Sequence, residues 1–161
     1  MRILTNSLKS NNHLAAHAAY WDHIDALVDS GVDLYEVRFR AADRHLYMED
    51  PVNEKQLGLH AKMLLIDDDI TFIGSCNLDS RSLVINTEVG LIINSMELNQ
   101  QMRELLAIDF LPRNAWQVQR GSDGKLVWRG ENDSYTGPPD ASQIERLEDW
   151  FIGLLPIDKQ M

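Results

Sequence analysis

One stretch of the chain, residues 58–94, constrains the fold more than any other, because it places polar residues at fixed intervals among apolar runs. Its sequence is GLHAKMLLIDDDITFIGSCNLDSRSLVINTEVGLIIN. The polar positions follow the spacing H-x-K-x4-D-x6-G-S-x-N, and a glutamate comes eleven residues after the asparagine. The residues in register are His60, Lys62, Asp67, Gly74, Ser75, Asn77 and Glu88. An H-x-K pair by itself is usually a strand edge, but the complete set is specific.

The apolar runs in this stretch predict strands. Residues 58–66 and 70–73 have strand length and meet at a turn rich in aspartate. Side chains two apart on a strand share a face, so His60 and Lys62 should point the same way. The resulting hairpin would bring Ser75 back toward His60. A third strand is predicted over residues 89–93.

The polar residues have the chemistry that a phosphodiester anion needs. The imidazole of His60 is a nucleophile or proton carrier near pH 7, and Lys62 supplies a positive charge. Ser75 and Asn77 offer a hydroxyl and an amide to phosphate oxygens. A carboxylate at Glu88 could accept the other ring N–H of His60, which would fix the tautomer. Together they could hold the anion without a metal ion.

The stretch resembles the HKD motif of the phospholipase D superfamily, and the surrounding sequence resembles the cardiolipin synthase-type branch. The further matches are RILTNSLKSNN, HAAY with His17 and Tyr20, GVDLYEVR, NLDSRSLVINTEVGLII and LLPID. They cover nearly the whole chain. The resemblance implies an α/β fold, with a mixed, largely parallel sheet flanked by helices on both faces.

The resemblance also implies phosphatidyl transfer from a glycerophospholipid such as phosphatidylglycerol, through a phosphohistidine and without a cofactor. A second phosphatidylglycerol as acceptor would give cardiolipin, and water would give phosphatidic acid. In this motif His60 is expected to be the general acid/base, and Lys62 and Asn77 to stabilise phosphoryl charge, with Ser75 also binding substrate. Asp67 is expected to orient the hairpin.

An HKD site is built from two motifs that face each other, and this chain contains one. The histidines at positions 13, 17, 23 and 45 have no lysine two residues later. We expect residues 1–161 to form a single phospholipase D-like domain, the excised C-terminal half of a two-motif enzyme with Met1 added for expression. Its partner would be the N-terminal HKD half or a second copy of the chain.

Two alternatives stay open at this point. The chain could be a single-motif phosphodiesterase or nuclease that works as a homodimer. It could also be an isolated half that is not catalytic without its partner.

Composition limits the range of partners. The net charge of −10 argues against nucleic acid, whose binders usually carry a basic face. No run of eighteen apolar residues is present, so no transmembrane helix is predicted. The composition is that of a soluble globular chain, and the resemblance implies peripheral contact with a bacterial membrane. The single Cys76 excludes an intrachain disulfide.

The rest of the chain alternates strands and helices. The predicted elements are strands over 2–5 and 32–38, a helix over about 13–30 ended by Gly31, a helix over 95–111, a hairpin of 115–120 with 125–129, a loop over 130–140 and a helix over 141–155. The first strand–helix–strand order favours a parallel crossover.

Two features of the helices have competing interpretations. His13 and His17 lie one helical turn apart and could bind zinc, but capping or packing is the favoured interpretation because no third ligand is evident. The resemblance gives His17 a second possible role at the mouth of the active site. Trp150 and Phe151 in the final helix predict closure of the core rather than membrane contact.

Overall fold

The computed structural model describes residues 1–11, 14–50, 55 and 57–153. Its elements are β1 (Arg2–Asn6), α1 (Leu14–Asp29), β2 (Asp33–Val37), a 3-10 turn (Arg44–Leu46), β3 (Met63–Ile66), β4 (Ile70–Gly74), α2 (Ser80–Val84), β5 (Gly90–Asn94), α3 (Met96–Ala107), β6 (Ala115–Arg120), β7 (Leu126–Arg129), β8 (Ser134–Tyr135) and α4 (Gln143–Gly153). The described residues divide into a first unit, within 1–59 and 109–153, and a second unit, His60–Ile108.

The first unit is built on a five-stranded sheet with the order β1-β2-β6-β7-β8. The β1 and β2 strands are parallel and α1 connects them, whereas the other three pairings are antiparallel. The α1 helix packs against β2 and β6. Its apolar residues complete a core whose buried members are Ile24, Leu34, Trp116, Val118 and Trp128. The predicted end of α1 is confirmed, since Gly31 has the left-handed φ of 82° that favours glycine.

The second unit is a three-stranded antiparallel sheet, β3-β4-β5, with α3 against β4. Ser95 caps α3 by accepting a bond from the Leu98 N–H at 3.2 Å. The buried Asn99 fixes the helix to the sheet, since its amide donates to the Ile70 carbonyl at 2.7 Å. Arg103 in turn donates to Asn99 at 2.7 Å. This unit therefore contains all the motif residues, from His60 to Glu88, in one local structure.

The α/β class with a mixed sheet is confirmed, but the expectation of a largely parallel sheet is wrong. Within the described residues only β1 and β2 pair in parallel. A parallel pair needs a long crossover, which α1 supplies, whereas tight turns join β3 to β4 and β6 to β7. The motif strands moreover form a sheet of their own. Helices on both faces of one sheet, and a single domain, stay predictions.

Other differences concern individual elements. The strand predicted over residues 58–66 begins only at Met63, because Asn6 holds Leu59 in the first unit by bonds of 2.7 and 2.8 Å. The short β8 lies where a loop was predicted. Trp150 and Phe151 are 61% and 62% exposed, so the predicted core closure is wrong for both. In the part of the chain that the structure describes, no helix is long and apolar enough to cross a bilayer.

Candidate functional site

The hairpin of β3 and β4 sets the positions of the motif residues. Asp67 begins its turn with a φ of 47°, a conformation that aspartate tolerates better than most residues. The ladder continues one step past β3, because the Gly74 N–H donates to the Lys62 carbonyl at 3.0 Å. Lys62 therefore lies directly opposite the Gly74-Ser75 end of the hairpin.

His60 and Lys62 lie next to each other at the start of the second unit. The Lys62 ammonium donates to the backbone carbonyl of His60 at 2.9 Å. The His60 side chain is exposed, and Lys62 is half-buried. The pair thus presents an accessible imidazole with a positive charge held beside its backbone.

Ser75 and Glu88 form the second part of the site. The Ser75 hydroxyl donates to the Glu88 carboxylate at 2.5 Å and accepts a bond from the Val89 N–H at 3.0 Å. The Ser75 N–H donates to the Val89 carbonyl at 2.8 Å. The hydrogen bond from Ser75 lowers the pKa of the Glu88 carboxyl, and a second one from Asn86 adds to this effect. Glu88 is therefore ionised at neutral pH.

The structure does not show the contact predicted between Glu88 and His60. Among the described residues, the carboxylate bonds Ser75 and Asn86 instead. The strand register explains this difference. Gly74 pairs with Gly90, so the next residues along the two antiparallel segments, Ser75 and Val89, face each other, and Glu88 lies next to Val89 within reach of Ser75. The hydroxyl proton of Ser75 is also committed to Glu88 rather than directed to a substrate.

Asp67 and Asn77 lie at different places. Asp67 is at the turn, about 13 Å along the strands from the Gly74 end, given roughly 3.3 Å per residue. Its carbonyl accepts a bond from Arg103. Asn77 is exposed and follows two residues after Ser75. The roles predicted for all six site residues stay predictions.

Sequence reasoning missed the polar residues that support Glu88. Asn86 donates to Glu88 at 3.2 Å and accepts from Arg81 at the same distance. Among the described residues, Arg81 is thus bonded to an amide rather than to a carboxylate. Asp79 caps α2 through the Ser82 N–H at 2.6 Å, a pairing that its spacing of three residues could have indicated.

The described residues contain no group of three or more histidine, cysteine or acidic side chains arranged to hold a metal ion. The alternative of zinc at His13 and His17 falls partly outside the described residues, because His13 is not among them.

Alanine at Gly74 is expected to destabilise the protein by about 1–3 kcal/mol, the usual cost of overpacking. An added Cβ would lie 2.7 Å from the Val89 carbonyl oxygen and 2.8 Å from the Phe72 ring. Urea unfolding measures the effect. Gly137→Ala is the matched control, since its Cβ would meet only the flexible end of Arg146 at 3.4 Å. Equal midpoints for the two variants would contradict this packing.

Alanine at Ser75 is expected to speed hydrogen exchange of the Val89 N–H roughly fivefold, the equivalent of one hydrogen bond. The Ser75 hydroxyl accepts that N–H at 3.0 Å. Ser95→Ala removes a cap from α3 in the same unit and should leave Val89 unchanged. Unaltered exchange at Val89 in Ser75→Ala would show that the Ser75 hydroxyl does not protect the Val89 N–H.

Comparison with known proteins places this site in a family. Residues 1–109, which include all six predicted site residues, match the family model described as "Cardiolipin synthase, PLD-like domain". The chain belongs to this family. A cardiolipin synthase C of Escherichia coli is 36% identical over 127 residues, which cover 78% of this chain and 27% of that protein. An uncharacterized protein of Helicobacter pylori (strain ATCC 700392 / 26695) is 31% identical over 155 residues, 93% of this chain and 30% of the relative.

A third relative matches a shorter part of the chain. A cardiolipin synthase A of Pseudomonas syringae is 42% identical over 69 residues, 43% of this chain and 14% of its own length. No solved structure matches the chain at a significant level. The chain therefore spans less than a third of the length of these relatives.

Proposed function

We propose that this chain supplies one HKD half of a phosphatidyl-transfer site, acting on phosphatidylglycerol or a similar glycerophospholipid to make cardiolipin. The observation that carries the proposal is the match of residues 1–109 to the cardiolipin synthase, PLD-like family, because that match contains the complete motif. The other half would come from an N-terminal HKD segment of a longer chain, and the assembled enzyme would contact the membrane peripherally.

In the proposed reaction, one motif histidine attacks phosphorus and the bond from phosphorus to the glycerol oxygen breaks. The opposite motif histidine gives that oxygen its proton. The hydroxyl of a second phosphatidylglycerol then attacks phosphorus, returns a proton to the same histidine and breaks the phosphorus–nitrogen bond. We assign the acid/base role to His60, and stabilisation of the phosphoryl oxygens to Lys62 and Asn77.

The structure changes what we propose for Glu88. Its carboxylate accepts from Ser75, so it acts as a positioning residue that holds the strand ends together beside Lys62. Ser75 is tied to the Val89 backbone through both its N–H and its hydroxyl. We propose that Ser75, which lies next to Lys62, also binds the substrate phosphate. Its hydroxyl can donate to that phosphate only after its hydrogen bond to Glu88 has broken.

A chimera tests the proposed function. The segment of E. coli cardiolipin synthase C that aligns with this chain would be replaced by the corresponding residues of this chain. We expect the chimera to form cardiolipin from phosphatidylglycerol, with a rate that EDTA leaves unchanged. A chimera that folds like its parent but forms neither cardiolipin nor phosphatidic acid would contradict the proposal.

The homodimeric nuclease alternative is disfavoured by charge. The sequence from residue 60 to residue 108 has three basic residues, Lys62, Arg81 and Arg103, and more acidic ones. Arg81 is bonded to Asn86, and Arg103 to Asn99. A nucleic-acid surface needs several cations directed at phosphates. Binding of DNA that falls steeply with salt would favour the alternative.

A further inference from the structure

The loop between β4 and β5 turns its apolar side chains outward. This motif loop, residues 75–89, is closed at its neck by the hydrogen bonds between Ser75 and Val89. Five of its apolar side chains are between 63% and 82% exposed: Leu78, Leu83, Val84, Ile85 and Val89. A loop exposed to water alone normally carries polar residues at such positions.

The polar side chains of the motif loop are bonded to one another. Asp79 caps α2, Arg81 donates to Asn86, and Glu88 accepts from Ser75 and from Asn86. Ser82 is buried. All three charged groups of the loop therefore have partners within it, and its apolar side can leave water without stripping an isolated charge.

We propose that the motif loop is the element that enters the lipid surface, its apolar side chains contacting acyl chains while Lys62, Ser75 and Asn77 hold the phosphodiester. This inference rests on the proposed function, which makes the substrate a lipid. The apolar surface is continuous with the site, since Val89 is bonded to Ser75 and Leu78 follows Asn77. A phospholipid likewise has its phosphate directly next to its apolar part.

The apolar surface of the loop and its charge favour lipid as the occupant. At about 100 Å² of apolar area for each aliphatic side chain, five side chains exposed to this degree present about 350 Å² of apolar area. Nucleic acid is disfavoured because Arg81, the only cation of the loop sequence, is bonded to Asn86. Because the loop offers no excess positive charge, binding should depend little on anionic lipid.

The test is co-sedimentation of the full chain with phosphatidylcholine vesicles, made with and without phosphatidylglycerol. The double variant Leu83→Gln, Val84→Gln should bind roughly tenfold less tightly or weaker still, because two apolar contacts are lost. The control double variant Met96→Gln, Leu105→Gln changes exposed apolar residues of α3 in the same unit and should bind within about twofold of wild type. Wild-type binding to the two kinds of vesicle should also agree within about twofold.

A second pair of variants keeps the test valid if glutamine disturbs the fold. Tryptophan at Leu83 should show blue-shifted fluorescence on vesicles, and tryptophan at Met96 should not. The inference would be overturned if the double variant Leu83→Gln, Val84→Gln bound vesicles as tightly as wild type. It would also be overturned if this variant and the control double variant lost binding equally. A wild-type dimer that dissociates in the loop variant and ignores vesicles would show a protein interface instead. These measurements involve no turnover, so their failure is distinct from a failure of the proposed reaction.

Discussion

Replacing His60 with alanine is expected to lower cardiolipin formation by the chimera roughly 10²–10⁴-fold, the range for loss of a general acid/base. His60 is the one histidine of the motif, it is exposed, and Lys62 lies against its backbone. Without the imidazole, the leaving glycerol oxygen has no proton donor and the acceptor hydroxyl has no base. Thin-layer separation of labelled lipids measures the rate of product formation.

The matched control for this prediction is His23→Ala. His23 is also exposed, but it lies on α1 in the first unit and outside the motif. Its replacement should leave the rate within about twofold of the unmodified chimera, as is usual for a surface residue away from the site. A His60→Ala chimera that is folded and equally active would remove His60 from the reaction.

The stability of the protein is expected to fall by about 3 kcal/mol between pH 4 and pH 8 because of Glu36. This carboxyl is buried in the first unit, where it accepts bonds from Tyr20 at 2.9 Å and Trp128 at 2.8 Å. Burial raises its pKa from 4.5 to about 7, although these two bonds and the nearby His17 act in the opposite direction. The folded state thus holds the proton more tightly than the unfolded state does.

The sign follows from that difference in proton binding. As the pH rises from 4.5 to 7, the unfolded chain loses the Glu36 proton first, and each step in pH favours unfolding. Glu36→Gln mimics the protonated acid and removes this dependence. The free energy of unfolding of the wild type minus that of Glu36→Gln should therefore fall as the pH rises from 4 to 8. Urea unfolding at several pH values measures it, and Glu131→Gln on the surface is the control.

A difference between wild type and Glu36→Gln that stays constant from pH 4 to pH 8 would contradict this account of the buried carboxyl. If the free energy of unfolding of the wild type minus that of Glu131→Gln fell by the same amount, the pH dependence would come from general surface charge. The aromatic packing around Glu36 makes the site-specific result the expected one, because Trp21 and Trp128 stack with their ring centres 5.8 Å apart and exclude water.

The sequence predicted the local structure well because local signals determine it. The helix end at Gly31 and the hairpin turn between β6 and β7 depend on residues within a few positions of each other. Pairing between distant strands could not be predicted in this way. The antiparallel contact of β2 with β6 joins segments far apart in the chain, and its direction is set by packing in the core.

The candidate site shows the same limit. The spacing identified His60, Lys62, Ser75 and Glu88 as a set, and the structure places all four in the second unit. The spacing suggested His60 as a partner of Glu88, whereas the described residues that bond Glu88 are Ser75 and Asn86, because the register of Gly74 with Gly90 sets this contact and a motif does not reveal the register. The outward-facing apolar residues of the motif loop were also missed, since the same residues would suit a core.

The mass of the chain in solution, measured by light scattering together with its turnover of a chromogenic phosphodiester, tests most directly whether the chain is one half of a two-motif site. If the chain is one half of a two-motif site, it should be a monomer of 18.4 kDa whose turnover is no greater than that of His60→Ala. A dimer of twice this mass, with turnover that disappears in His60→Ala, would contradict the account. It would show that two copies complete one site, as in a single-motif phosphodiesterase.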